Sequence, residues 1–278
     1  MCNVISKYIV AALAATLLAS CGDKDKDAAA GLLEQARAEF TADNYNSALA
    51  TLDTLDARYP AQVEIRRQAM HLRPQVIERL TLRELTSADS LIAVLTLSTD
   101  SLRDVLEFVP DAFEGYYTSR QIKGKVPAEA TGLYARMSTD GVFSVVSSAP
   151  KGTQSTSVTL TTEGLEATTP DVACDGERND RSRGVEIITF MPLECDTLGH
   201  FASINLGRPI TARWNGAKPH SAKLAEPQAR ALAEVYGASR SFAALRSAQM
   251  RKQMLERRLD IARSQMARTF SNDSTAAD

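Results

Sequence analysis

The chain has 278 residues, 44% of them hydrophobic, which is long enough to bury one large core or two modest ones. Its 32 basic and 34 acidic residues nearly balance, with a formal net charge of −2. This balance, without an extended basic stripe, argues against a nucleic-acid-binding protein, and the low aromatic content of 6% argues weakly against a carbohydrate-binding surface.

The first 20 residues have the pattern of a secretion signal. A basic and polar start that contains Lys7 precedes the apolar run Ile9–Leu18. That run is too short to cross a bilayer, because a membrane-spanning helix needs roughly 20 apolar residues. Small residues precede Cys21. We therefore predict a cleaved signal peptide over residues 1–20 and a mature chain that begins at Cys21.

The residues around the predicted cleavage point, Leu18-Ala19-Ser20-Cys21, resemble the lipobox of bacterial lipoproteins. In that family the cysteine sulfur receives a diacylglycerol, the chain is cut before the cysteine, and the new amine is acylated. The resemblance implies that Cys21 is the lipidation site and that acyl chains such as palmitate anchor the protein to the outer membrane. It leaves open whether the protein faces the periplasm or the cell surface. An ordinary signal peptide with an incidental cysteine is the alternative.

Residues 21–30 are short, polar and charged, and they predict a flexible tether between the membrane and the fold. Asp23, Asp25 and Asp27 resemble the acidic residues that follow the lipidated cysteine in surface-exported lipoproteins of the Bacteroidota. Two intervening lysines dilute that pattern, and a solvated linker on a periplasm-facing anchor is the alternative.

Residues 31–74 predict two antiparallel helices joined by a turn at Asp43-Asn44. Small alanines would let the helices approach closely, and Pro60 would end the second one. The segment resembles one tetratricopeptide repeat, with Asp43 where that repeat usually has Gly. The resemblance implies a helical hairpin that packs on another part of the chain, since one repeat cannot bury a core alone. The residues that carry it are Ala36, Phe40, Tyr45, Ala48, Leu52, Leu55 and Pro60.

Two long helices are predicted over residues 75–109 and 223–270, each with a heptad seam. The outer face of the second is rich in arginine, and we expect it to pair with acidic residues of the first. The seams fit an antiparallel pair within one chain and are also compatible with a homodimer. Residues 271–278 predict a disordered tail. The seam residues are Leu85, Ala88, Ile92, Leu95, Thr99, Leu102 and Leu106 in the first helix, and Leu245, Ala248, Lys252, Leu255, Leu259, Ala262 and Met266 in the second.

Residues 110–222 predict an antiparallel β domain. Asp140-Gly141 and Glu163-Gly164 supply hairpin turns between alternating runs. So many short strands predict a sandwich or barrel inserted between the long helices, which would form a coiled-coil-like stalk. The predicted fold class is therefore α+β, with an N-terminal tetratricopeptide-like hairpin. The strands are predicted over 132–138, 142–148, 155–161, 165–168, 185–190, 201–205 and 210–214.

Cys174 and Cys195 are the cysteines that remain beyond the signal and the lipidated residue. Outside the cytoplasm such a pair predicts a disulfide, which would close a loop of about 20 residues and contribute roughly 3 kcal/mol. Two reduced thiols are the alternative.

The loop between these cysteines is the sharpest local candidate for a site. Its segment Asp175–Glu186 has some acidic positions of a calcium loop, but Asp180 replaces the turn Gly and arginines occupy later ligand positions. We therefore predict no metal there and interpret the loop as a charged surface for a protein partner. The predicted contact residues are Arg178, Asn179, Asp180, Arg181 and Arg183.

The sequence contains no recognisable catalytic motif. His71, His200 and His220 lack metal-pair spacing, and there is no Gly-x-Ser-x-Gly elbow. We therefore predict a non-enzymatic binding or scaffold module for protein partners in the bacterial cell envelope, with no cofactor and no nucleic acid.

Two other functions remain open. An envelope hydrolase would need paired carboxylates, for example Glu186 or Glu194 facing Asp196, around a cleft of the β domain. A glycan-binding domain would need its aromatic side chains on one exposed face. Those side chains are Trp214, Tyr116, Tyr117 and Tyr134.

Overall fold

A computed structural model describes residues 24–111, 114–173, 177–181 and 184–275, with side chains described as far as residue 268. The predicted signal peptide, Cys21, Cys174 and Arg183 lie outside these residues. The chain divides into two compact units: unit 1 comprises Met1–Ser90 and Met250–Asp278, and unit 2 is Leu91–Gln249. Within the described ranges, no helix combines the length and apolar composition that a membrane crossing requires.

The described residues form helices followed by a strand-rich region and a last long helix. A short 3-10 turn, Arg120–Ile122, follows the second strand. The helices are α1 (24–41), α2 (Tyr45–Arg58), α3 (Val63–Arg103), α4 (Pro192–Ile204) and α5 (Glu226–Thr275). The strands are β1 (Leu106–Val109), β2 (Tyr116–Ser119), β3 (Gly132–Ser138), β4 (Phe143–Pro150), β5 (Ser155–Thr162), β6 (Leu165–Thr168), β7 (Asn179–Asp180), β8 (Val185–Phe190), β9 (Thr211–Gly216) and β10 (His220–Lys223).

Unit 1 has a helical core to which α1, α2 and the start of α3 contribute. Ala36, Ala48 and Leu52 are fully buried in it, together with Val76 of α3. The small alanines allow close helix packing, and the larger side chains fill the remaining space. The turn between α1 and α2 places Asp43 at φ 59°, a conformation that Asp tolerates better than most residues.

The predicted flexible tether is wrong over residues 24–30, which are the first turns of α1. Ala29 is fully buried in the core of unit 1, and Ala30 packs against that core. The reason is that three consecutive alanines favour a helix and continue the apolar face that Leu33 and Ala36 begin.

The first long helix also differs from its predicted bounds of 75–109. It begins at Val63, passes through Pro74, and ends at Arg103. Proline removes one helical hydrogen bond, but the residues around it bury the same apolar face, which outweighs that loss. Residues 106–109 form strand β1 instead, because they pair antiparallel with β2.

Every residue of the two predicted heptad seams is buried or half-buried, but Leu106, the last residue of the first seam, lies in β1 rather than in α3. In unit 1 the predicted charge pairing between α3 and α5 is also present. Asp89 accepts Lys252 at 2.7 Å, and Glu84 accepts Arg258 at 3.4 Å. These pairs require α3 and α5 to run antiparallel within unit 1, although each exposed pair adds only about 0.2–1 kcal/mol.

Unit 2 contains two sheets in which every strand pair is antiparallel. The larger sheet has the order β1-β2-β3-β4-β8-β7, and the smaller has the order β10-β9-β5-β6. The predicted strands 132–138, 165–168 and 185–190 are confirmed with the same bounds. Gly141 in the β3–β4 turn has φ 82°, as the predicted hairpin requires.

The two sheets share one hydrophobic core. Leu133 and Val145 of the larger sheet and Val158 of the smaller one belong to it. The indole N–H of Trp214 on β9 donates to the Ser147 hydroxyl on β4 at 3.0 Å, so a hydrogen bond also joins the sheets. Helix α4 and the first part of α5 complete this core.

The predicted strand over residues 201–205 is wrong, because these residues belong to or follow helix α4. Pro192 occupies the first turn of α4, and the Glu194 carboxylate accepts the Met191 N–H at 2.8 Å. Both features start a helix. The strand predicted over 210–214 is observed as β9, Thr211–Gly216, because Asn215 and Gly216 also pair with β5.

Candidate functional site

Arg178 of the predicted contact loop is held by a structural ion pair. Its guanidinium donates two hydrogen bonds to the Glu194 carboxylate, at 2.8 and 2.7 Å, and a third to the Thr189 carbonyl at 3.1 Å. The hydrogen bond from Arg178 lowers the pKa of the Glu194 carboxyl. Arg178 therefore connects the loop to the start of α4, and its charge is neutralised there.

Asn179, Asp180 and Arg181 of the predicted contact loop line, together with Arg178, a shallow cavity of about 440 Å³. Asn179 is buried and pairs with Ile188 across β7 and β8, whereas Asp180 is exposed. Arg181 is half-buried beside them. The structure thus brings four of the five predicted contact residues together, and partner contact by this loop stays a prediction.

Glu186 is buried and fixes a turn. Its two carboxylate oxygens accept the N–H groups of Gly152 at 2.8 Å and Ser155 at 2.9 Å. Within the described part of the chain, no group of three or more His, Cys, Asp or Glu side chains could hold a metal ion. Glu186 and Glu194, which the hydrolase alternative named, both accept backbone hydrogen bonds that stabilise the fold.

The aromatic face that the glycan-binding alternative needs is not formed. Trp214 and Tyr134 are buried, and Tyr116 and Tyr117 are half-buried. Tyr116 and Tyr134 do line one pocket, in which the Arg136 guanidinium lies 4.2 Å from the centre of the Tyr116 ring. That pocket has a volume of about 170 Å³, below the roughly 300–1,000 Å³ of ligand sites.

Two of the three histidines, His200 and His220, lie beside aromatic rings. His220 has its ring centre 5.7 Å from that of Trp214, and His200 has its ring centre 6.3 Å from that of Tyr236. His71 is half-buried on α3.

Cys195 is a free thiol, so the predicted Cys174–Cys195 disulfide is wrong in this structure. The side chain of Cys195 lies in the core of unit 2 and donates to the Phe190 carbonyl at 3.5 Å. Helix α4 turns Cys195 inward, because the α4 residues Leu198 and Phe201 bury the same face. Burial raises the pKa of the Cys195 thiol to about 12.

We expect the stability of unit 2 to fall in alkaline solution because of Cys195. An unfolded cysteine ionises near pH 8.5, but the folded thiol keeps its proton up to about pH 12. The unfolded state therefore releases a proton first, and the free energy of unfolding falls by about 1.4 kcal/mol per pH unit above pH 9. Urea unfolding between pH 8 and 11, in a Cys21→Ser and Cys174→Ser background, measures this slope.

The matched control for that prediction is Cys195→Ala in the same background. It should flatten the alkaline slope, while the contributions of tyrosine and lysine residues remain in both proteins. Equal slopes with and without Cys195 would show that its ionisation is not coupled to folding.

Sequence reasoning missed an apolar groove in unit 1, with a volume of about 310 Å³. Met254 and Ile261 are 63% and 59% exposed there. The signal that could have found it is the spacing of Met250, Met254 and Ile261, four and seven residues apart on one face of α5. The groove is lined by Ile77, Met254, Arg257, Arg258, Ile261, Ala262 and Gln265.

The fold and these sites define a mixed α/β protein with one helical unit and one unit that contains two antiparallel sheets. Comparison with protein-family models, curated proteins and solved structures finds no match to this chain.

Proposed function

We propose that the protein is a lipid-anchored component of the bacterial cell envelope that binds protein partners as a non-enzymatic scaffold. The lipobox-like Leu18-Ala19-Ser20-Cys21 supports the anchor in the outer membrane. In this proposal Cys21 carries the lipid, and the folded units act beside the membrane.

One observation carries the binding part of the proposal: large apolar side chains are exposed to solvent along the part of α3 that belongs to unit 2. Leu91, Val94 and Leu97 are 51%, 64% and 71% exposed. They are three residues apart, so they follow one another along the helix surface. Single exposed apolar residues are ordinary, but a continuous stripe of them is typical of a surface that a protein partner covers.

The proposal includes a finer interpretation of the fold. We interpret α1 and α2 as a tetratricopeptide-like hairpin, supported by the buried Ala36 and Ala48 and by the tight turn at Asp43. We interpret the two sheets of unit 2 as a β sandwich, supported by their shared core and by the Trp214–Ser147 hydrogen bond. Both architectures commonly present rigid surfaces to partners.

The contacts of the acidic residues also favour binding over hydrolysis. A glycosidase needs two carboxylates that are available to a substrate. Glu186 is buried against the Gly152–Ser155 turn, and Glu194 is bound to Arg178 and the start of α4. Both carboxylates stabilise the fold through these contacts, which favours a scaffold over a hydrolase.

The test is chemical crosslinking in intact bacteria, followed by capture of the protein and identification of its neighbours. We expect protein neighbours with the native chain, and at least a fivefold lower yield with Val94→Glu and Leu97→Glu together. Both side chains are exposed, so the charges should not disturb the core.

Leu193→Glu is the matched control, because Leu193 is 95% exposed on α4. It should leave the yield unchanged. If the native chain yields no protein neighbour, or if the α3 double variant captures as much as the native chain, the binding proposal is wrong.

A further inference from the structure

The apolar groove in unit 1 is concave, so that side chains of a partner can enter it. Ile77 of α3 is half-buried in it, and Met254 and Ile261 of α5 project beside it. The residues Leu255 and Leu259, on the neighbouring face of α5, are buried in the seam. The groove is thus a concave apolar surface beside the seam rather than a part of the core.

The two charged residues that line this groove are both arginines. None of its seven lining residues is acidic, and Arg257 and Arg258 are among them. The acidic Asp260 lies three residues from Arg257, on the neighbouring part of the α5 surface, and is not among the lining residues. The groove therefore has a basic border and an apolar floor.

This positive charge is only partly compensated within unit 1. Arg258 and Arg251 share one carboxylate, that of Glu84, at 3.4 and 3.9 Å. Arg257 makes no ion pair with any described residue. Because Glu84 compensates Arg258, the groove lining keeps about one uncompensated positive charge, that of Arg257, beside exposed apolar side chains.

We propose that this groove binds an acidic amphipathic helix of a protein partner. The inference rests on the proposed scaffold function and names the chemistry of one partner segment. Apolar side chains spaced three and four residues apart would fill the groove beside Met254 and Ile261. Acidic side chains on the flanks of that helix would pair with Arg257 and the arginines that share Glu84. Methionine side chains suit such a contact because they adapt to the partner's shape.

Two other occupants fit less well. In a two-fold contact between copies of this chain, the same basic surface would face itself, and like charges would oppose the contact. A membrane surface takes up the protruding apolar face of an amphipathic helix, whereas here the apolar floor, with Ile77, is recessed between α3 and α5. An acidic helix satisfies both the charge and the concave shape.

The test places the photocrosslinking amino acid p-benzoylphenylalanine at position 254 of the full chain in living bacteria. We expect a protein adduct whose crosslinked peptide has net negative charge and apolar residues three or four apart. The same amino acid at position 193 on α4 is the control site and should not yield that adduct.

Charge variants make the test specific. Arg257→Glu should lower the adduct yield at least fivefold, and Arg257→Lys should retain most of it. Circular dichroism of the purified variants checks that α5 remains helical. An adduct between two copies of this chain, with lipid alone, or with a neutral or basic peptide would overturn the inference.

Absence of any adduct at position 254 would also overturn it. If the capture experiment on the α3 stripe still identifies protein neighbours, the scaffold function stands and only the groove assignment fails. If neither experiment finds a protein neighbour, both fail.

Discussion

Replacing Trp214 by Ala is expected to lower the free energy of unfolding of unit 2 by about 4 kcal/mol. Trp214 is the only tryptophan of the chain, and it is buried in the core that both sheets share. The substitution leaves a large cavity between the sheets and removes the hydrogen bond from the indole to Ser147. For a unit of this size the melting temperature should fall by roughly 10 °C.

Differential scanning calorimetry measures this effect, with Ser147→Ala as the matched control. That variant removes the hydroxyl partner but keeps the packing of the ring, so its expected cost is about 1–3 kcal/mol. Because Trp214 is retained in the control, its fluorescence also reports the unfolding of unit 2. A loss with Trp214→Ala no larger than the loss with Ser147→Ala would contradict the role of Trp214 in the core.

The β3–β4 hairpin was predictable because local signals and tertiary structure agree, whereas β1, β2, β7 and β10 were not predicted. The alternating run before Asp140-Gly141 pairs with the run after it, and Gly141 adopts the positive φ that the turn needs. The heptad spacing of α3 and α5 likewise identified the residues that are buried. In these elements the spacing of the apolar residues along the chain was sufficient to predict which side chains are buried.

The sequence did not predict helix α4, because the helix contains Gly199, and the reason for a glycine there is a tertiary contact. Gly199 weakens the helical pattern in sequence. In the structure an added Cβ at Gly199 would lie 2.5 Å from the Tyr236 ring. Glycine is therefore required for α4 to pack closely against α5. Such a contact between distant residues has no local signal.

The contacts of the candidate-site residues also depend on residues that are distant in sequence, and for that reason they were not predicted. Arg178 was predicted as a free contact residue, but its pairing with Glu194 depends on how β8 and α4 bring the two together. The thiol of Cys195 was expected in a disulfide, and its burial could not be read from the spacing of two cysteines. Exposure of Met254 and Ile261 likewise depends on which helix covers which face of α5.

The substitution Cys21→Ser is expected to have the largest effect on where the protein is found. In the proposal the Cys21 sulfur carries the lipid, and each buried methylene of an acyl chain contributes about 0.8 kcal/mol to membrane binding. A serine hydroxyl cannot replace the thioether, so the chain should remain unlipidated. We expect the fraction of the protein in the outer membrane to fall at least tenfold.

Cys174→Ser is the matched control, because it removes a cysteine of the mature chain without touching the predicted lipobox. It should remain in the membrane fraction to the same extent as the native chain. Protease treatment of whole cells then separates the two leaflets, since only a surface-facing protein is cleaved.

The most direct test of lipid anchoring is metabolic labelling with radioactive palmitate, with membrane fractionation of the same cells. The native chain and Cys174→Ser should carry the label and sediment with the outer membrane, and Cys21→Ser should do neither. Label on the Cys21→Ser protein, or its retention in the membrane, would contradict the proposal that this protein is anchored through Cys21.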